Sequence, residues 1–387
     1  MTQRRLFTSN SVMLGHPDKL CDRISDALVD AHLAANPEAM VQAEAAAAGQ
    51  VVFLVTDVAA RGEVDVIGVA RRIIAETGYF PRDMEADRCA ILAQSSAMAP
   101  SWAKRTPGSR GAVDQTTVFG YACSETQERM PLPIQLAHRL AGSLGELALR
   151  QAVPGLGPDG DVLVTIEYAD NRPVRIDTIA IQLQYLGNPT ELQQALHTLA
   201  FVPTFKAMQV EPDAATRLLV NPVGPLEAAG PARDAGHTGR KNADDTYGGA
   251  ARHGGHALSG KDPSRLDRSA SYAARHVATN VVAAGLASEC ELMLSYAIGE
   301  TRPVTISART FGTGLLPDER LSEIIDDVFD LRPDAIEKRL RLRRLPRERG
   351  GRFYQKLAAG GHFGRPELDP PWEKLDTVDS LRSAARL

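Results

Sequence analysis

A run of helical periodicity followed by strand alternation occurs three times along this chain, and that recurrence limits the fold more than any other feature. In the first segment LCDRISDALVDAHLA sets Leu20, Ile24, Ala27, Leu28 and Ala31 on one helical face. QVVFLVTDV then reads as a buried strand, and DVIGVARRIIAE as a helix through Val66, Ala70, Ile73 and Ile74. In the second segment PIQLAHRLAGSLGELAL is helical. DVLVTIEY alternates Val162, Val164, Ile166 and Tyr168 against Leu163, Thr165 and Glu167, as a half-buried strand does. The turn DNRP leads to its hairpin partner VRIDTIAIQLQY, and ELQQALHTLA closes the unit. In the third, DRSASYAARHVATNVVAAGLA is a helix, ELMLSYAI and PVTISARTF pair as strands, and PDERLSEIIDDVF is amphipathic through Leu321, Ile324, Ile325, Val328 and Phe329. The order of elements repeats without obvious sequence identity. It predicts an α+β chain of three similar layers, each a sheet covered on one face by helices. The segments run over residues 1–98, 110–222 and 223–387.

A chain of 387 residues is too long for one simple core and suggests two or three domains. With 24% charged residues, 43% hydrophobic ones and a net charge of -4, it belongs among ordinary globular proteins. Nothing in that balance calls for a nucleic acid or a membrane as partner. Cys21, Cys89, Cys123 and Cys290 lie far apart, as buried thiols in a reducing compartment do. MTQRRLFTSN has no apolar stretch after its basic residues, so a cytoplasmic location is expected. KRLRLRRLPRERGGR is basic but follows an acidic helix, which predicts a solvated surface. The polar loop SSAMAPSWAKRTPGSRGAVDQTT, with Lys104, Arg105 and Arg110, is either a linker or a mobile lid.

Chemistry concentrates in two places. In GHPDKLCDRISDA, Pro17 suits the first helical position and His16 falls at the cap, where free amides favour an anion. Asp18, Asp22 and Asp26 form an acidic stripe beside Lys19 and Arg23. Two readings follow: a solvated helix whose acids offset the dipole, or a site where His16 and Lys19 meet phosphate while Asp18 holds a divalent cation. RDAGHTGRKNADDTYGG and ARHGGHALSGKDPSRLDRS form the second concentration. Their glycines free the backbone for close approach, and Asp234, Arg240, Lys241, Asp245, Lys261, Asp262, Arg265 and Asp267 supply mixed charge. No Walker A order is present. His253 and His256 read as ordinary loop histidines. Plain surface and a metal–polyphosphate site both remain open at this point.

GHPDK, FGYA, HTGRK, DTYGG, SGKDPS, DRSA, SYAIG, HFGR and PWEK together resemble the bacterial S-adenosylmethionine synthetases, from Leu6 to about Leu375. The resemblance implies that family's fold, three topologically similar sheet-and-helix domains around a pseudo-threefold. It also implies dimers, or dimers of dimers, with active sites between subunits. The implied activity is attack of methionine sulfur on C5′ of ATP, with the displaced triphosphate cleaved to pyrophosphate and phosphate. By resemblance His16, Lys261 and Arg240 are catalytic. His16 would stabilise charge on the oxygen that leaves C5′, and Lys19, Asp114, Arg240, Lys241, Lys261 and Arg265 would bind nucleotide and triphosphate. Asp18 and Asp267 would hold two Mg2+ ions, Glu44 a K+ ion, and Asp234 the methionine. The segment between Ala97 and Ala112 would be the gating loop.

Departures fall where substrates are expected. Asn10 and Leu14 replace glutamates, Arg265 a lysine, Val113 and Thr117 glycines, Tyr185 a histidine and Pro225 an arginine. Thr56 stands where a glutamate would bind the methionine ammonium, with Asp57 next to it, and Asp161 where a phosphate-facing lysine is expected. The gating loop is shorter. Methionine adenosyl transfer is therefore the expected activity. An enzyme of the same kind with a different nucleophile, and a non-catalytic ATP-binding regulatory or assembly subunit, are the alternatives.

Overall fold

The computed structural model describes residues 4–59, 63–98, 111–208 and 210–386. The chain starts with strand β1 (Arg4–Val12), followed by helix α1 (Pro17–Ala35), β2 (Met40–Ala48), β3 (Val51–Ala59), α2 (Val66–Thr77) and β4 (Ala90–Ala97). Next come β5 (Thr116–Cys123), α3 (Leu132–Leu149), the long hairpin β6 (Leu156–Ala169) and β7 (Arg172–Tyr185), α4 (Pro189–Leu196), α5 (Val202–Met208) and β8 (Arg217–Val220). The last part holds β9 (Gly236–His237), the single turn α6 (Asn242–Asp245), α7 (Leu266–Ala283), β10 (Glu289–Tyr296), β11 (Thr305–Arg309), α8 (Asp318–Val328) and α9 (Pro333–Arg339). The turns α10 (Leu345–Glu348) and α11 (Tyr354–Leu357) and helix α12 (Val378–Ala385) follow. The expected lid residues Lys104, Arg105 and Arg110 lie outside the described residues.

The expected α+β layers are present, but each sheet recruits a strand from another segment. β1 pairs antiparallel with β6, giving the order β1-β6-β7-β8. β5 adds to the β10–β11 hairpin, and β9 adds to the outside of β2 in the order β4-β3-β2-β9. Three apolar cores result. One packs α1 and α2 on the β2–β3 sheet through Leu20, Ile24, Leu28, Leu54 and Ile73. A second packs α3 on β6 and β7, and the third buries α7 against β5, β10 and the C-terminal helices. Sheets stitched across segments cannot come apart without breaking backbone ladders, so the layers hold a fixed mutual geometry.

The basic C-terminal run divides in two. Arg341, Arg349 and Arg352 make surface ion pairs with Glu348, Asp369 and Glu76, as a solvated face does. Arg343 departs from that expectation. It is buried, ion-paired to Glu337 and, at 3.0 Å, to Asp262, and it donates to the Ala39 carbonyl at 2.9 Å. Its planar fork thus ties the SGKDPS loop to the start of β2.

Candidate active site

His16 caps α1. Its Nδ1 accepts the Asp18 amide at 3.1 Å, so the proton of the neutral ring resides on Nε2. Burial, with Lys241 nearby, pulls the imidazole pKa down to about 3, and the ring is neutral at physiological pH. The two-residue strand β9 lies against this helix start because position 236 is glycine. A Cβ there would sit 2.1 Å from the Pro17 carbonyl oxygen. That approach lets the His237 amide donate to Asp18 Oδ1 at 3.0 Å and the Gly239 amide to Asp22 at 2.7 Å. Lys241 Nζ reaches Asp18 Oδ2 at 2.7 Å and Arg240 lies 3.7 Å from Oδ1. Burial works to raise the Asp18 carboxyl, but Lys241 and the His237 amide bring it below its ordinary value. Asp234, exposed, accepts the amide of Ala235, whose carbonyl takes a bond from Arg240 at 3.3 Å. His16, Asp18, Arg240, Lys241 and Asp234 therefore form one group.

The remaining candidates form a second group beyond Thr238 and Gly239. Residues 260–262 run alongside β2: the Ala43 amide donates to Gly260 O at 2.7 Å, and Asp262 exchanges bonds with Val41 at 3.0 and 2.8 Å. Gly260 has φ +80°, and a Cβ would meet the Ala43 oxygen at 2.0 Å, so no other residue fits without shifting the loop. This zipper brings Lys261 opposite Gln42, where its ammonium holds Asp267 Oδ2 at 2.6 Å. Thr116 donates to Asp267 Oδ1 at 2.6 Å, and Arg265 pairs with Asp114 at 3.2 Å. Burial tends to raise Asp267, yet Lys261 and Thr116 hold it below the usual carboxylate range. A cavity of about 420 Å³ opens here, lined by Glu44, Asp114, Lys261, Arg265 and Asp267 together with Thr238 and Gly239. Residues 237–239 thus connect the two groups: the His237 amide holds Asp18, and Thr238 and Gly239 line the cavity. His256 also lines the cavity, and His253 accepts the Gly255 amide.

Two expected site residues face elsewhere. Lys19 is 0% exposed; its ammonium is 3.2 Å from Asp22, in contact with Asp245 and 4.0 Å from Asp244. Burial alone would lower its pKa, but the Asp245 and Asp22 carboxylates hold it above the ordinary range. It is a core cation enclosed by acids. The acidic stripe is not solvated either, because Asp26 is paired with buried Arg268. Thr56 is 1% exposed and donates to Ser95 at 2.8 Å on the core side of β3. The ladders to β2 and β4 run through this strand without a register shift, so Asp57 points to the opposite face, in register with Gln42 and Ser96. That face also carries Glu44. Asp57, not Thr56, is the side chain a bound molecule on the outer face would meet.

Sequence reasoning missed Thr116 and the β9 amides, and it passed over Arg233, which pairs with Asp159 and lies 3.8 Å from Asp161. Arg233 opens the quoted run RDAGHTGRK, so a signal existed; Thr116 and His237 act through contacts that no local pattern marks. Asp18 and Asp267 offer hard oxygen donors, yet among the described residues no three acidic, imidazole or thiol groups converge as a ready-made metal cage. Magnesium usually takes one or two carboxylates and completes its shell with water and phosphate oxygens, so single carboxylates in a cationic cleft fit that ion.

Three interlocked sheet-and-helix layers carrying these paired acids and cations define an α+β protein with a charged, oxygen-donor-rich cleft. Models of the S-adenosylmethionine synthetase N-terminal, central and C-terminal domains match residues 4–100, 109–226 and 228–374. An S-adenosylmethionine synthase of Synechococcus elongatus is 46% identical over 411 residues, covering 100% of this chain and 99% of the relative. Those of Thermosynechococcus vestitus and Gloeothece citriformis are 46% and 45% identical, each covering 99% of this chain and 98% of the relative. The chain belongs to the S-adenosylmethionine synthetase family.

Proposed function

We propose that this protein is a methionine adenosyltransferase: the sulfur of L-methionine attacks C5′ of ATP, S-adenosylmethionine forms, and the triphosphate is cleaved to pyrophosphate and phosphate. The observation that carries the reading is 46% identity over the full length to relatives named for that product, joined to two charged groups connected through residues 237–239.

The residues suit displacement of an entire triphosphate. As the C5′–O bond breaks, negative charge gathers on the departing oxygen. His16, neutral and with its donor on Nε2, stabilises that charge without giving up a full proton. Arg240 and Lys241 on one side, and Lys261 and Arg265 on the other, neutralise the chain. Lys241 and Lys261 are paired with Asp18 and Asp267. An arriving triphosphate draws each lysine to phosphate and releases each carboxylate. Asp18 and Asp267 would then hold two Mg2+ ions, which supply charge neutralisation on the phosphate oxygens, and Glu44 would hold K+. Asp114 binds the nucleotide, and Asp57 and Asp234 offer carboxylates to the methionine ammonium.

Self-association belongs to the same proposal. The outer face of the β2–β3–β4 sheet exposes Phe53, Val55 and Leu92 beside Glu44, an apolar surface suited to a second copy. No helix among the described residues is long and apolar enough to cross a membrane, in keeping with catalysis in the cytoplasm. Purified protein with ATP, Mg2+, K+ and L-methionine should yield S-adenosylmethionine with one pyrophosphate and one phosphate each, measured by chromatography. Phosphate release independent of methionine would overturn the reading, as would ATP binding without product.

A further inference from the structure

Asp161 lies on β6 in register with Val12, at the end of β1 that leads into His16. Its side chain, 42% exposed, has Oδ2 3.8 Å from Arg233 Nη1, and Lys241 acts on the same carboxyl. Arg233 is held from the other side. Its Nε and Nη2 donate to Asp159 at 3.0 and 3.3 Å, and Asp159, fully buried, also accepts the Gly230 amide at 2.8 Å. A guanidinium gripped along one edge by a buried carboxylate has a fixed plane. Nη1 projects toward Asp161 at a separation too long for a hydrogen bond, and it makes none among the described residues. The same cation bears on His16. A fixed, partly exposed cation with an uncommitted donor therefore stands on the wall that carries His16 and Lys241. It faces an acid that an incoming polyanion would repel.

We propose that Arg233 is an additional triphosphate-binding residue, with Asp159 as its positioning carboxylate and Asp161 as the group that yields Nη1 when the anion arrives. The inference rests on the synthetase reading for the identity of the anion. Arg233 returns to this wall the positive charge that an aspartate at 161 removes. Asp161 in turn sets how tightly the wall holds product triphosphate, because its carboxylate competes for the same donor.

The test is calorimetric titration of the full-length protein with inorganic tripolyphosphate and Mg2+, which needs no turnover. Arg233→Gln should weaken binding by about 10- to 100-fold, the span one charge-assisted hydrogen-bonding group is worth. It should raise KM for ATP and leave KM for methionine unchanged. Asp161→Asn, at a half-exposed position, should tighten binding several-fold. Asp161→Lys in the Arg233→Gln background should recover most of the loss. Arg233→Lys, which keeps the charge without the fork, serves if the glutamine variant folds poorly, and should bind with intermediate affinity. Unchanged affinity in both Arg233 variants overturns the inference, as does weaker binding by Asp161→Asn or no recovery in the double variant. Product formation by the unaltered protein is measured separately. Absence of S-adenosylmethionine with Arg233-dependent tripolyphosphate binding would sink the proposed activity and keep this contact.

Discussion

Replacing Lys19 with methionine separates a core cation from a phosphate-binding one. The ammonium is 3.2 Å from Asp22 Oδ2 and 4.0 Å from Asp244, it touches Asp245, and none of it is exposed. At 3.2 Å and an effective dielectric near 20, each such attraction is about 5 kcal/mol before desolvation is subtracted. Removing one member of a buried ion pair typically costs about 3–5 kcal/mol, since the partners are left charged and dry. Burial already lifts Asp22 to about 7 and Asp245 to about 6 with the lysine present. Without it both rise further. A carboxyl whose folded pKa lies above its unfolded one adds stability below the unfolded value and loses it as pH climbs through the folded value. The Lys19→Met deficit should therefore approach about 3–5 kcal/mol at pH 8 and shrink toward pH 5.5, as protons replace the missing cation. Urea unfolding at the two pH values measures this, and Asp245→Asn in the same chain should recover part of the loss. Tripolyphosphate affinity of the folded variant should stay within about threefold of the parent, under 1 kcal/mol. Unaltered stability with tenfold weaker tripolyphosphate binding would refute the burial argument and return Lys19 to the triphosphate.

Other perturbations probe the remaining parts. His16→Asn keeps an N-cap acceptor but removes the Nε2 donor, so kcat should fall by about 10²–10³ with ATP affinity little changed. Because burial and Lys241 hold His16 near pKa 3, the pH–rate profile of the parent should show no step from this ring between about pH 6 and pH 9. Gly260→Ala forces a Cβ toward the Ala43 oxygen at φ +80°; it should displace Lys261, weaken tripolyphosphate binding and lower the melting midpoint, all read in one thermal-shift titration. Phe53→Asp on the outer sheet face should dissociate the assembly in light scattering, whereas an unchanged mass would remove that face as the subunit interface.

Much of the secondary structure was legible because its signals are local. α1, α3 and α7 follow from apolar residues at helical spacing, and the β6–β7 and β10–β11 hairpins from alternation around turn residues. β2 was not legible. MVQAEAAAA is rich in alanine and poor in β-branched residues, and it is a strand because β3 and β9 take up its backbone groups on both sides. The motifs likewise brought most candidate residues into view, since His16, Asp18, Lys241, Lys261 and Asp267 stand in runs dense with charge and glycine.

Periodicity and composition, then, determined the α+β class and the places where charge gathers. Only the tertiary structure decided that β1 joins β6, β5 joins β10 and β9 joins β2, because such pairings link residues more than a hundred positions apart and leave no local period. The same long-range packing turned Lys19 inward, turned Asp57 rather than Thr56 outward, and set Arg233 against Asp161. A charged residue announces itself in sequence; which opposite charge it meets, and whether water reaches it, depends on the side chains that close around it.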